Sequence, residues 1–306
     1  MTYKTLIFFA TLLLCTLGLA PAGASAQPGW KKIFDGKTLS GWQAPDMSYF
    51  SVEDGAITGT TTKEHNPPYN QFIVWQGGEV ADFELKFKFR IFGAKSNSGM
   101  QFRSVVKDKG LVHGYQADMD GAGKYLGGIW DEYGPRRSLA GRGEKAVIDE
   151  SGKRTVTRFA ESESLLKNIK MEDWNDYHIT AIGSRITLRI NGQVTAELDD
   201  RETGKAARSG VLAMPIIPGE PMKVQYKDIY LKQMGENDER QQTQRLFENV
   251  SSGFGQHDAA VCFSRFGQSD RSQRPHSRRG HRNRRAHARL AEQFQKTIRC
   301  RDCRAV

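Results

Sequence analysis

Between residues 27 and 234 the chain has no cysteine; its four cysteines stand at positions 15, 262, 300 and 303. A span of that length without thiols excludes a disulfide-stapled scaffold and a thiolate metal site, and it is long enough to bury a self-supporting core. The same span has no HExxH, no CxxC, no glycine-rich phosphate loop and no GxSxG elbow, so the chemistries those motifs serve have no support here. It also lacks an excess of either charge, with 29 Lys+Arg against 27 Asp+Glu. The formal net charge of +10 comes mostly from residues 235–306, which hold 15 Lys+Arg against 8 Asp+Glu. The basic character of the whole chain is therefore no argument that residues 27–234 bind nucleic acid.

Long apolar runs are missing as well, except for Leu6–Leu19. That run is short for a membrane span of about 20 residues. It follows Lys4 and precedes Ala24-Ser25-Ala26, the pattern of a secretory signal peptide over residues 1–26 with cleavage near Gln27. The alternative is an uncleaved anchor. Leu14 stands before Cys15 where a lipoprotein signal wants a small residue, which argues against lipidation. The expectation is an exported protein, periplasmic or extracellular, with no membrane contact after cleavage.

Helical periodicity is scarce and strand alternation is abundant. Phe83, Leu85, Phe87, Phe89 and Ile91 alternate with Glu84, Lys86, Lys88 and Arg90, the mark of a half-buried strand. Tyr177, Ile179 and Ala181 repeat the pattern, Gly183-Ser184 turns the chain, and Ile186, Leu188 and Ile190 follow. Asn191-Gly192 is a two-residue hairpin signal leading into Gln193–Leu198. Val224 and Tyr226 alternate, then Ile229 and Leu231 resume one residue out of phase, which predicts a bulge at Lys227-Asp228. Only short helices are expected, at Ser162–Lys167 and at Asp200–Thr203. Many strands with almost no helix predict an all-β, two-sheet antiparallel jelly-roll sandwich over residues 27–234.

The polar positions from Asn97 to Arg137 are rich in functional groups. Gln101 and Arg103 share one face of their strand, Gln116 and Asp118 one face of the next, and Trp130 and Glu132 one face of a third. If these strands are neighbours, amides, carboxylates and an indole merge into one patch, suited to a polyhydroxylated ligand. The alternative is a solvated face with surface ion pairs. Arg136 and Arg137 follow Gly134-Pro135 on an expected rim loop, where paired guanidiniums can neutralise an enolate or carboxylate. His113 and Tyr115 sit at the entry to the GYQAD strand and complete the candidate binding set. Asp118, Asp120, Asp131 and Glu132 are the residues that could hold a hard divalent ion such as Ca²⁺, but alternation sets Asp131 opposite Glu132.

These segments resemble a known family. Phe34-Asp35-Gly36-Lys37 through Ser40-Gly41-Trp42, Val52-Glu53-Asp54-Gly55, Asp82-Phe83-Glu84-Leu85, Asn97-Ser98-Gly99, Gly114–Asp118, Asp131-Glu132, Trp174–Tyr177 and Asn191-Gly192 follow one another as in the bacterial 3-keto-disaccharide hydrolase domain. The resemblance spans about Trp30 to Met234 and implies a concanavalin-A-like jelly roll in exported proteins acting on oxidised sugars. A ketone at C3 of a glucoside acidifies the C2 proton. A base removes it, the enolate expels the C1 substituent, and water adds to the enone. On this reading Asp118 and Glu132 do acid/base work, Arg103 and Arg137 stabilise the enolate, and Gln101 and Gln116 hold hydroxyls. The expected partner is an oligosaccharide or oxidised glycoside. One departure stands out: Pro215 and Ile217 occupy positions where the resemblance implies Gln and His. That change favours the alternative function, a non-catalytic carbohydrate-binding module. A structural surface protein is the third reading, set against the specificity of the polar face.

The tail, residues 235–306, carries the basic run Arg278–Arg285 and a Cys300-x-x-Cys303 pair without a second pair to complete a zinc site. It reads as disordered, or as an artefact of the gene's 3′ end.

Overall fold

A computed structural model describes residues 29–235. The expected signal peptide and basic tail lie outside the described residues. In chain order the strands are β1 Lys31–Lys32, β2 Trp42–Gln43, β3 Phe50–Glu53, β4 Ala56–Thr61, β5 Gln71–Trp75, β6 Phe83–Phe92, β7 Asn97–Val106, β8 Val112–Asp120 and β9 Ile129–Glu132. They continue as β10 Arg137–Ala140, β11 Glu144–Ile148, β12 Arg154–Arg158, β13 Asn175–Ile182, β14 Arg185–Ile190, β15 Gln193–Asp200, β16 Val211–Ile216 and β17 Met222–Gln233. A ten-stranded sheet runs β12-β11-β15-β14-β13-β6-β17-β4-β3, with β1 added on β17. A seven-stranded sheet runs β10-β9-β8-β7-β16-β5-β2. Successive strands β4 to β7 alternate between the sheets, giving the jelly-roll sandwich that the alternation predicts.

The two sheets enclose one core. Phe83, Leu85, Phe87, Phe89 and Ile91 all point inward from β6 and are buried. Phe87 stacks on Tyr177 with ring centroids 5.2 Å apart, and Phe102 stacks on Tyr115 at 5.7 Å. Burial of each such side chain contributes about 1.5–3 kcal/mol. The Asn191-Gly192 hairpin forms with both residues at positive φ, 49° and 81°, the twist that a two-residue turn between right-handed strands requires. The bulge of β17 falls between Lys227 and Tyr230 with Asp228 at φ 52°, where the change of phase predicts it. A helix spans Ser162–Leu166. The segment expected to be helical at Asp200–Thr203 instead begins as the last residue of β15, because Asp200 pairs with Ile148. That pairing is parallel, so the ten-stranded sheet is mixed rather than purely antiparallel.

Pro215 lies in β16, between β5 and β7, where a missing N–H normally breaks a ladder. The β16–β7 pairing covers only Val211 and Ala213 and ends before Pro215, so no bond is lost there. The Pro215 carbonyl accepts from the Ser98 hydroxyl at 2.5 Å.

Two expected site arginines are structural. Arg103 does not share the face of Gln101. It has φ 48°, at a register shift between Phe102 and Val105, and this turns its side chain under the sheet. There it is fully buried, donates to the carbonyls of Ala81 and Gly183 at 2.7 Å each, and pairs with Asp82 at 2.6 Å. Arg136 is not on the rim. Its Nε donates to Asp131 at 3.0 Å and its Nη1 to Asp200 at 2.6 Å, with Glu202 at 3.3 Å. Burial alone would lower the Arg136 pKa, but the Asp200 and Asp131 carboxylates outweigh it and hold the guanidinium above its ordinary range. Tyr115 joins the same cluster through its hydroxyl, which donates to Asp200 at 2.5 Å, so it too is a core residue.

Removing one partner of a buried ion cluster strands the others without compensation. Arg136→Met is expected to cost about 3–5 kcal/mol in urea denaturation, because Asp200 stays fully buried. Arg137→Met, at the neighbouring exposed position, is expected to stay within about 0.5 kcal/mol. Equal losses would contradict the division of the two arginines.

Candidate functional site

The outer face of the seven-stranded sheet carries a cavity of about 250 Å³ lined by Asn70, Asn97, Gln116, Asp118, Tyr125, Trp130, Glu132, Arg137 and Ile217. Strand register explains the floor. Gln116 pairs with Gln101 on β7 and with Trp130 on β9, Asp118 pairs with Gly99, and Glu132 pairs with Gly114. Glycine opposite each carboxylate leaves its side chain room. A Cβ on Gly99 would stand 2.5 Å from Cγ of Gln116, so that glycine is what lets Gln116 lie across β7. The expected merger of the β7, β8 and β9 polar faces is thus present for Gln101, Gln116, Asp118, Trp130 and Glu132.

The amides form a relay. The Ser104 hydroxyl donates to Gln101 Oε1 at 2.9 Å, and Gln101 Nε2 donates to Gln116 Oε1 at 3.2 Å. Gln116 Nε2 then faces the cavity as a donor. Gln101 is fully buried beneath it and supports rather than lines the cavity. Two acceptors are left over. Among the described residues, Asp118 Oδ1 and Asn97 Oδ1 are buried without a hydrogen-bond partner. Orphaned acceptors beside a cavity are costly unless a ligand supplies hydrogens, which hydroxyl groups do.

The carboxylates are both perturbed. Burial, with the charges of Asp120 and Glu132 adding to it, pushes the Asp118 pKa well above its ordinary 3.8. Burial raises Glu132 too; Arg137 offsets this only in part, and Asp131 adds to the rise. Asn70 Nδ2 donates to Glu132 Oε1 at 3.3 Å. Arg137 holds φ 56° and Tyr133 φ 57°, so the Tyr133–Arg137 turn is strained at both ends. Asp131 fits beneath Gly134, where a Cβ would meet its carboxylate, and takes Arg136 inward while Arg137 stays on the cavity side.

Several cavity residues come from loops and escape strand alternation. Tyr125 packs against Trp130 with centroids 5.5 Å apart. Its loop is organised by the Asp120 carboxylate, which accepts the backbone N–H groups of Lys124, Tyr125 and Leu126 at 2.9, 2.6 and 2.7 Å. Asp120 is thereby committed to the loop, and Asp131 to Arg136. The four carboxylates considered for Ca²⁺ do not converge, and among the described residues no group of three His, Cys, Asp or Glu is placed to hold a metal ion. His113 stacks on Tyr133 at 4.8 Å and is not part of the cavity wall. Ile217, the position where the resemblance implies histidine, does line the cavity.

The 3-keto-alpha-glucoside-1,2-lyase-like domain matches this sequence over residues 29–232. The chain belongs to that family. A search of curated proteins gives no match. Among solved structures, one provisionally described as a glycosyl hydrolase from Parabacteroides distasonis is 18% identical, with TM-score 0.45, 68% of this chain covered and 94% of that one. The carbohydrate binding module CBM66 from Bacillus subtilis is 13% identical, with TM-score 0.41, 63% of this chain covered and 95% of that one. Likeness this distant carries no argument about activity. The family match makes this a carbohydrate-related domain, and the two sheets themselves establish its fold.

A carboxyl group whose pKa is raised by folding binds its proton more tightly in the native state. Its favourable contribution is present below the ordinary pKa and is lost as pH rises through the native one. Asp118→Asn is therefore expected to raise Tm at about pH 7, and the gain is expected to shrink toward about pH 4. A variant destabilised at neutral pH would contradict the placement of an unpaired Asp118.

Proposed function

We propose that the protein is an exported enzyme that cleaves 3-keto-glycosides by elimination followed by hydration. The observation that carries this reading is the pair of carboxyl groups in one cavity that burial shifts unequally, far upward for Asp118 and less so for Glu132, where Arg137 opposes the shift. Arg137 partly offsets burial and Asp131 at Glu132, while at Asp118 burial, Asp120 and Glu132 outweigh the one backbone N–H that favours the carboxylate. Pairs of titratable groups pushed apart in this way are the signature of acid and base assigned to one reaction.

Glu132, whose ionised form Arg137 favours against burial, removes the proton from C2. Negative charge then develops on the C3 oxygen, where Arg137 and the free Nε2 of Gln116 are the available donors. Asp118, whose protonated form burial favours, gives its proton to the oxygen leaving C1. Water adds to C1 of the enone and a proton returns to C2, so the net change is hydrolysis. Trp130 and Tyr125 offer aromatic faces for the sugar ring, and Asn97 Oδ1 and Asp118 Oδ1 accept from its hydroxyls.

A second reading, a carbohydrate-binding module without turnover, is favoured by Ile217 in the cavity wall. An apolar side chain there removes one polar group from the wall without closing the cavity. The purified protein incubated with 3-keto-trehalose separates the two. Free sugar release is expected, and Glu132→Gln is expected to lower the rate by about 10²–10⁴ while leaving the thermal transition in place. Saturable binding without release supports the binding module, and full turnover by the variant removes Glu132 from the mechanism.

A further inference from the structure

The outer face of the ten-stranded sheet, on the far side of the sandwich from the cavity, carries a second concavity. It is a groove of about 620 Å³ bordered by Lys88, Lys170, Trp174, Asp176, Lys227 and the amides of Asn168, Asn191 and Gln193. We propose that this groove binds a carboxylate-bearing polysaccharide, separately from the cavity on the seven-stranded sheet.

Charge is the first reason. Among the described residues, Lys170 and Lys227 have no acidic partner within salt-bridge distance, whereas Lys88 is matched by Asp176 at 2.6 Å. Lys227 Nζ lies 3.9 Å from the centre of the Trp174 ring, and the Arg90 guanidinium lies 4.5 Å from it. The ring holds Lys227 without a carboxylate, whereas Arg90 also reaches Asp54 at 3.6 Å, so it is the charge of Lys227 that is left available to a ligand. The row continues along β6, where Lys86 Nζ lies 4.3 Å over Trp30. Side chains at Lys86, Lys88 and Arg90 share one face of the strand, spaced by about 7 Å per pair of residues, which suits a repeating chain more than a single small anion.

Rigidity is the second reason. Asn175, buried behind the groove, accepts from the Lys170 N–H at 2.8 Å and donates to the Lys170 carbonyl at 2.7 Å and the Asp173 carbonyl at 2.9 Å. Asn191 donates to the Asn168 carbonyl at 2.7 Å and accepts from the Asp176 N–H at 2.9 Å. The loop that presents Asn168, Lys170 and Trp174 is therefore tied down before any ligand arrives, and a preformed site loses less entropy on binding. Amide side chains beside the cations suit sugar hydroxyls, and a Trp ring already covered by cations is a poor platform for stacking nucleobases.

The test is titration of the purified protein with oligogalacturonate, followed by tryptophan fluorescence, against a neutral maltooligosaccharide and a single-stranded oligonucleotide of matched length. Saturable binding of the oligogalacturonate alone is expected, weakening as salt rises. The Lys170→Ala/Lys227→Ala double variant is expected to bind about tenfold more weakly, while cleaving 3-keto-trehalose at the unaltered rate. Equal binding of the neutral sugar, tighter binding of the oligonucleotide, no binding at all, or an unaffected double variant would each overturn the proposal. The binding readout does not depend on turnover, so failure of one proposal leaves the other standing.

Discussion

Arg136, held between Asp131 and Asp200, is the interaction on which the candidate site depends. The cluster ties the turn after β9 to the end of β15 in the opposite sheet, and Tyr115 adds its hydroxyl to the same carboxylate. With Asp131 and Arg136 drawn inward, strand alternation and the strained turn leave Glu132 and Arg137 outward, on the cavity. Two carboxylates and two arginines adjacent in sequence are thereby sorted into a structural pair and a candidate chemical pair. A cluster of this kind is weak evidence for stability as such, since well-packed apolar residues can do as well. Its consequence here is geometric.

Alternation along β6, β7, β8, β9 and β13 was enough to read the sandwich, and it placed Gln101, Gln116, Asp118, Trp130 and Glu132 on one face. Arg103 was misread because a single residue with positive φ reversed its side chain, and an arginine gives no sign of that backbone in advance. Arg136 was misread because the partners that bury it, Asp200 and Glu202, lie more than sixty residues away. Tyr115 was legible as a core residue from its place beside Ala117; its position in the GYQAD segment suggested a binding role instead. Asn70 and Tyr125 come from loops, where no period marks the side facing the cavity. Asn97 opens its strand, and only its sequence neighbourhood hinted at a role. The parallel pairing of β11 with β15 likewise depends on a connection that local pattern does not encode.

The cavity combines a cost and a use. Among the described residues Asp118 and Asn97 leave acceptors without partners, and Asp118 is buried among other carboxyls, arrangements that reduce stability and persist where function needs them. Ile217 works in the other direction, replacing polar lining by apolar surface. The proposed elimination uses both a raised Asp118 and the guanidinium on the cavity side of Glu132, neither of which binding alone would need.

Cleavage of 3-keto-trehalose in D₂O, with the product followed by NMR before spontaneous exchange sets in, tests the proposed elimination most directly. Removal of the C2 proton by Glu132 and its return from solvent predict a released keto-sugar carrying deuterium at C2 from the first turnovers. A product that keeps protium at C2 would contradict removal of that proton with return from solvent, and with it the account.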